Sequence, residues 1–210
     1  DTITAINHAP QRFAAIRDES GLGPPTSTTV LDTDTDGTQW LITTSQYGGT
    51  ATYAGNLVTC TVDNTGFNRG VTGGNTYGFI QYSIDGAGIG KPATATGRWT
   101  FSNLPAGRYD VATAFQPYGE GHSIRFTING AEVLVDQSAV PDANAGPTFD
   151  GRIGGYKPAD EIHFALIESS VVVAQGGSIT VTIDNANNAP AGRACMDSIA
   201  ITLVPEAGQD

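Results

Sequence analysis

A short acidic stretch, Asp-Thr-Asp-Thr-Asp-Gly, begins at Asp32 and places a carboxylate at every second position. Asp32, Asp34 and Asp36 can converge on one hard cation when the backbone curls, and the glycine that follows permits a tight turn. The pattern predicts a calcium site. The twelfth loop position holds Thr43 instead of the bidentate Glu of an EF-hand, and "TQWLITT" reads as a strand, so a full EF-hand is not expected. The alternative is an acidic turn exposed to solvent.

A second group of residues is suited to binding sugars. Aromatic rings pack against the CH groups of a sugar, and neighbouring polar groups form hydrogen bonds with its hydroxyls. Tyr118, Glu120 and His122 stand together in "FQPYGEGH", and Tyr156 lies in another Gly-rich stretch. These four residues form the predicted ligand site. The alternative is that they close the ends of the fold or line a contact between subunits.

Catalytic chemistry has little support in the sequence. The histidines His8, His122 and His163 have no zinc-ligand spacing, and "GHSIR" is not the Gly-x-Ser-x-Gly elbow of a hydrolase. Glycoside hydrolysis needs two paired carboxylates, and nothing selects two from Asp85, Asp110, Glu120 and Glu132. We therefore expect that the protein is not an enzyme.

The chain has two cysteines, Cys60 and Cys195, which are far apart in sequence and form no Cys-x-x-Cys motif. We predict one disulfide that ties an early strand to the last one. Two buried thiols are the equally weighted alternative.

Apolar and polar residues alternate with a period of two from about residue 30, which predicts β-strands. These strands must position the candidate site residues. Gly, Asn, Asp or Pro separates the segments. This arrangement predicts an all-β fold, a two-sheet antiparallel β-sandwich of jelly-roll type. The segments that read as strands are "QWLIT", "NLVTCTV", "FIQYSI", "RWTFS", "RYDVATAF", "HSIRFTI", "EVLVD", "EIHFALI", "VVVA", "SITVTI" and "DSIAITLV".

Residues 1–29 differ from the β-sandwich domain expected over residues 30–210. The stretch "DTITAI" reads as a short strand, "APQRFAAIRDE" as a helix of a few turns, and "SGLGPPTSTT" as a linker. Such a segment cannot fold alone, so it must dock on its own domain, dock on a neighbour or stay mobile. The residues that we predict to mediate docking on a neighbour are Ile3, Ile6, Phe13 and Ile16.

The segment "RWTFSNLPAGRYDV" joins two alternating runs through a Leu-Pro-Ala-Gly corner. Trp99 and Phe101 point to one face, as do Tyr109, Val111 and Thr113, and Gly107 supplies conformational freedom at the turn. We therefore interpret this stretch as core and corner, with aromatic rings that pack inside the fold.

The order of "GRWTFSNLPAGRYDVATAF", "FTINGAEVLVDQ", "SITVTIDNA" and "CMDSIAITLV" resembles the carbohydrate-binding-like β-sandwich domain of golvesin and xanthan lyases. The resemblance covers roughly residues 30–204. The Gly/Asn-rich inserts and the N-terminal segment depart from that pattern. The resemblance implies a non-catalytic extracellular module and leaves its ligand open.

The composition and net charge of the chain limit the classes of partner that it can bind. The formal net charge is −11, which disfavours nucleic acid and anionic membranes, and no apolar run is long enough to span a bilayer. Charged residues make up 15% of the chain and 27 residues are Gly, as in secreted or cell-surface β proteins. We predict an extracellular structural subunit that self-assembles into a fibre or matrix through its N-terminal segment. The alternative is a carbohydrate-binding or adhesion module with a polysaccharide partner.

Overall fold

The computed structural model describes residues 11–16, 29–33, 39–43, 49–53, 56–65, 67–69, 81–83, 96–115, 123–139, 148–149, 162–184, 194–196 and 198–204. Every regular element in these ranges is a β-strand. The strands are β1 (Gln11–Ile16), β2 (Thr29–Thr33), β3 (Gln39–Thr43), β4 (Gly49–Tyr53), β5 (Asn56–Thr65), β6 (Phe67–Arg69), β7 (Gln81–Ser83), β8 (Thr96–Leu104), β9 (Gly107–Ala114), β10 (Ile124–Ile128), β11 (Ala131–Val135), β12 (Thr148–Phe149), β13 (Ile162–His163), β14 (Ala165–Val173), β15 (Gly177–Asp184) and β16 (Ser198–Val204).

The long strands form two six-stranded sheets. The first sheet has the order β14-β9-β16-β1-β3-β2, and the second has the order β11-β10-β15-β8-β5-β4. Neighbouring strands are antiparallel, except that β1 and β3 run parallel. The predicted all-β sandwich of two sheets is confirmed. No helix long and apolar enough to cross a membrane occurs in the described part of the chain.

Alternation along the strands builds the core. In β8 every second residue from Gly97 to Phe101 is buried, while the residues between them are exposed or half-buried. The same pattern in β10 and β15 turns one face of the second sheet inward and leaves the other for polar side chains. The largest fully buried side chains are Trp99, Tyr109, Phe101, Phe126, Phe164, Leu104 and Ile124.

The Leu-Pro-Ala-Gly corner carries the chain from β8 in the second sheet to β9 in the first. The Tyr109 hydroxyl donates a hydrogen bond to the Pro105 carbonyl at 2.9 Å, as in the tyrosine corners of other sandwiches. A Cβ at Gly107 would overlap the end of the Leu203 side chain, which would have to move to accommodate it. The predicted role of this segment as core and corner is confirmed.

The predicted helix over "APQRFAAIRDE" is wrong for the residues that the structure describes there. Residues 11–16 form β1, which pairs antiparallel with β16 and parallel with β3. Backbone groups on both sides of this segment find partners in the sheet, which a short isolated helix could not match in stability. The domain boundary predicted at residue 30 stays a prediction.

Cys60 and Cys195 are both buried thiols, so the predicted disulfide is absent from the structure. Cys60 lies in β5, and Cys195 lies just before β16, where its backbone is bound by the Gln137 side chain. Of the two alternatives for the cysteines, the structure therefore has the buried thiols. Small apolar side chains of this kind pack well inside a core.

Candidate functional site

The outward face of the second sheet, here called the polar face, carries hydroxyl and charged side chains on four adjacent strands. Buried residues alternate with them and point into the core. The polar face therefore consists of side chains that point away from the core. Its members are Thr59, Thr61, Asp63, Thr96, Arg98, Thr100, Ser102, Arg125, Thr127, Thr180, Thr182 and Asp184.

Strand register arranges these side chains in rows. Arg98 in β8 lies between Asp63 of β5 and Thr182 of β15. The next row towards the strand ends joins Thr96 to Asp184. Residues directly opposite each other in an antiparallel pair have Cβ atoms about 4.5–5.5 Å apart, so each row brings together groups from distant parts of the sequence.

One ion pair fixes the β10 side of the polar face. The Arg125 guanidinium donates to Asp184 through Nε at 3.0 and 2.9 Å and through Nη2 at 2.7 Å. The hydrogen bonds and charge of Asp184 raise the pKa of Arg125 above its ordinary value. Because a raised pKa keeps a base protonated, Arg125 stays charged from acid to strongly alkaline pH. Next to this pair, the hydroxyls of Thr127 and Thr182 are hydrogen-bonded at 2.6 Å.

A pocket of about 230 Å³ opens at the end of the polar face where β8 begins and β15 ends. Its polar lining comes from three strands, β5, β8 and β15. The pocket is lined by Asp63, Thr96, Gly97, Arg98, Thr182, Ile183 and Asp184.

The charged groups of the pocket differ in their availability. Asp184 is held by Arg125 through a bidentate ion pair, which leaves it little freedom to bind a ligand. Arg98 is exposed and forms no ion pair with another described residue. Its guanidinium, which only donates, and the Asp63 carboxylate, which only accepts when ionised, are therefore the groups available to a ligand.

The aromatic side chains that the structure describes belong to the core and not to the polar face. Trp99, Phe101 and Phe126 come from the strands of the second sheet and are at most 1% exposed. A ligand on the described part of the polar face would therefore meet hydroxyls and charges. This agrees with the prediction that the aromatic residues of β8 serve packing.

The sugar-binding residues predicted from sequence, Tyr118, Glu120, His122 and Tyr156, lie outside the described residues.

The predicted calcium residues are described only in part. Asp32 lies in β2 opposite Trp40 of β3, whereas Asp34 and Asp36 lie outside the described residues. Among the residues that the structure describes, no group of three or more His, Cys, Asp or Glu side chains could hold a metal ion. The strand predicted after the acidic stretch is confirmed as β3.

Two carboxylates considered for glycoside hydrolysis lie on opposite surfaces of the sandwich. Asp110 is in β9 of the first sheet, where its Oδ1 accepts a hydrogen bond from Ser170 N at 3.0 Å. Glu132 is in β11 of the second sheet. These two acids therefore cannot act on one glycosidic bond, while Asp85 and Glu120 lie outside the described residues.

Of the residues predicted for docking on a neighbour, the structure describes two. Phe13 and Ile16 belong to β1, opposite Ile201 and Ser198 of the same chain. Ile3 and Ile6 lie outside the described residues. In this structure, the described part of the N-terminal segment is therefore docked on its own sheet.

Sequence reasoning did not identify the residues that line the pocket. Asp63 and Asp184 are each followed by Asn near the end of a strand, and Asp-Asn pairs of this kind are typical of ordinary turns. Arg98 gave no signal apart from its polar place in an alternating strand. Asp63, Arg98 and Asp184 come together only through the register of β5, β8 and β15.

No protein-family model and no curated protein sequence matches this chain. Two solved structures are similar to it in fold. The crystal structure of plant receptor-like kinase FER has a TM-score of 0.42 and 13% identity, covering 95% of this chain and 43% of that one. The structure of a Paenibacillus xanthan lyase has a TM-score of 0.36 and 18% identity, covering 79% of this chain and 14% of that one.

The chain spans less than half the length of either of these proteins. Similarity at this level concerns the fold alone. Membership of the domain family of golvesin and xanthan lyases stays a prediction.

Proposed function

We propose that this chain is a non-catalytic extracellular module that binds a neutral carbohydrate at the pocket of its polar face. The observation that carries the proposal is the combination, around one cavity, of hydroxyls, the Asp63 carboxylate and an Arg98 guanidinium that has no ion pair among the described residues. Binding proteins fix small ligands with a few such convergent polar groups.

The chemistry of these groups suits a sugar. Each sugar hydroxyl both donates and accepts hydrogen bonds, so it can be bound by an acceptor, a donor or a hydroxyl. Asp63 accepts, Arg98 donates, and the hydroxyl of Thr96 can do both. An anionic ligand is less suitable, because Asp63 and Asp184 line the same pocket and the whole chain carries a net charge of −11.

The size of the pocket limits what it can enclose. Pockets for drug-sized ligands measure about 300–1,000 Å³, and this one measures about 230 Å³. One sugar ring is therefore the expected occupant. Further sugar units of a polysaccharide would lie along the row formed by Thr61, Thr100 and Thr180, which continues the polar face away from the pocket.

Affinity electrophoresis through gels that contain neutral glucans, mannans, galactans or xylans tests this proposal. We expect at least one of these polysaccharides to retard the chain. Arg98→Ala should weaken that binding about tenfold to a hundredfold, because a hydrogen bond to a charged group contributes about 1.5–3 kcal/mol.

Arg108→Ala is the matched control. Arg108 is also exposed, and it lies in β9 of the other sheet, so this variant loses the same charge but keeps the polar face intact. The proposal fails if no neutral polysaccharide retards the chain, or if both variants bind as tightly as the wild type.

Self-assembly into an extracellular fibre or matrix is a second candidate function. The observation that favours it is the position of β1, a strand at the start of the described chain that fills the middle of a sheet. A strand in such a position can come from the same chain or from a neighbour. Light scattering of the purified full chain over a range of concentrations measures whether neighbouring chains associate. A particle mass that stays at 21.7 kDa would contradict it.

A further inference from the structure

The first sheet depends on β1 for its continuity. β1 forms six residue pairs with β16 on one side and four with β3 on the other. In the strand order β14-β9-β16-β1-β3-β2, β1 is the strand that joins the β2–β3 hairpin to the rest of the sheet. We call the space between β16 and β3 the β1 slot.

An empty β1 slot would have two open edges. The other side of β16 is already paired with β9, and the other side of β3 is paired with β2. Unpaired N–H and C=O groups along a strand edge are a template for an added strand. The slot can therefore be filled by a strand in the register seen here, and its backbone groups do not distinguish which chain provides that strand.

The sequence gives β1 a long connection to the next strand. Twelve residues, 17–28, separate β1 from β2, and they include Gly23-Pro24-Pro25. Consecutive prolines favour an extended backbone and prevent pairing through their missing N–H groups. At about 3.3–3.6 Å per extended residue, the connection can reach about 40 Å. This length allows β1 to enter the sheet of an adjacent molecule.

From these features we infer that the β1 slot accepts β1 of a second copy of this chain in the register seen here. This inference rests on the self-assembly candidate and is independent of the sugar site. The strand contacts are the same within one chain and between two chains. The proportion of molecules that exchange β1 therefore depends on the chain concentration relative to the local concentration of the tethered strand. Effective concentrations of tethered segments are on the order of millimolar.

The geometry of exchange decides the product. Two chains that exchange β1 reciprocally form a closed dimer. Chains that each donate β1 to the next form a ring or an open filament. Both products bury the same strand pairs.

Disulfide trapping in the full chain tests the inference. Arg12 of β1 lies opposite Thr202 of β16, and opposed residues in an antiparallel pair have Cα atoms about 4.5–5.5 Å apart, within the range of a disulfide. Arg12→Cys and Thr202→Cys are made in separate chains, and one chain is labelled with ¹⁵N. The chains are refolded together at ~1 mM and oxidised, and mass spectrometry measures the mixed covalent dimer.

A mixture of Arg12→Cys with Glu132→Cys is the matched control, because Glu132 is exposed on β11 of the other sheet. We expect the Arg12–Thr202 mixture to give at least tenfold more mixed dimer than the control. Equal yields from both mixtures would overturn strand exchange. The double variant Arg12→Cys/Thr202→Cys in one chain must form its disulfide within the monomer at low concentration, which verifies the register.

Light scattering of the wild-type chain at the same concentration separates two kinds of failure. Large particles without Arg12–Thr202 dimers would overturn strand exchange and leave assembly through another surface. Monomers without such dimers would overturn both strand exchange and the self-assembly candidate. Neither result alters the test of the sugar site.

Discussion

Gln137 shows how one side chain can replace a pair of backbone hydrogen bonds. Its Oε1 accepts from Cys195 N at 2.7 Å, and its Nε2 donates to Cys195 O at 3.0 Å. Gln137 is fully buried and follows β11, whereas Cys195 precedes β16. The amide thereby fixes the segment at residues 194–196 against the second sheet.

Replacing Gln137 with Met should be strongly destabilising. The substitution keeps the length of the side chain but leaves the N–H and C=O of buried Cys195 without these partners. At about 1–3 kcal/mol for each buried hydrogen bond that is lost, the two losses should lower the free energy of unfolding by about 2–6 kcal/mol. Urea denaturation followed by circular dichroism measures this change.

Gln175→Met is the control for that measurement. Gln175 is exposed, and its Oε1 accepts one hydrogen bond from Ala106 N at 3.2 Å. Because water can replace this bond, the control should lose about 1 kcal/mol or less. Equal losses in the two variants would contradict the role assigned to Gln137.

At the scale of elements, β8 packs against the segment before β16 through a glycine. A Cβ at Gly97 would overlap Met196 Sδ and lie 2.7 Å from Met196 Cε. Met196 is fully buried, so its side chain has little space to move. The absence of a side chain at Gly97 therefore brings the pocket end of β8 close to the start of the last strand.

A double-mutant cycle tests this close approach. Gly97→Ala should cost about 1–3 kcal/mol through overpacking, and Met196→Ala should cost about 2–5 kcal/mol through the cavity it leaves. The double variant should lose less than the sum by about 0.5–3 kcal/mol, because the new methyl group occupies part of that cavity. Additive losses in urea denaturation would mean that the two residues are not in contact.

The strands of the sandwich could largely be predicted from sequence. In β15, Ile179, Val181 and Ile183 alternate with threonines, and the structure buries these three residues. Such alternation is a local property, so it can be read without knowledge of the partner strands. The Pro-Ala-Gly corner is local in the same sense.

The strand β1 could not be predicted in this way. Ala14 and Ala15 are strong helix formers, and the spacing of Phe13 and Ile16 fits one face of a helix turn. The segment takes its extended form from β16 and β3, which pair with it on both sides and are distant in sequence. Tertiary pairing therefore overrides local propensity here.

The candidate site was missed for a related reason. Asp63, Arg98 and Asp184 belong to three strands, and only strand register places them at one pocket. A shift of one residue would turn each side chain to the opposite face of the sheet. No motif within one segment specifies that register, so the site emerges only from the assembled sheet.

At the scale of the whole molecule, the net charge of −11 governs which ligands can approach. The negative field opposes an anionic polymer and leaves a neutral one unaffected. Binding of an anionic chain would therefore strengthen as salt screens the repulsion. An ion pair between Arg98 and an anionic group of the ligand would instead weaken in salt.

The dependence of binding on salt concentration therefore shows whether charge contributes to recognition of the ligand. Raising the ionic strength from ~0.01 M to ~0.1 M shortens the Debye length from about 30 Å to about 10 Å. For the neutral polysaccharide that binds best, we expect the dissociation constant to change by less than about twofold, because no net charge is brought into the field. Isothermal titration calorimetry at several salt concentrations measures this dependence. A tenfold change in either direction would show that charge dominates recognition, and the proposal of a neutral sugar at Asp63 and Arg98 would then be wrong.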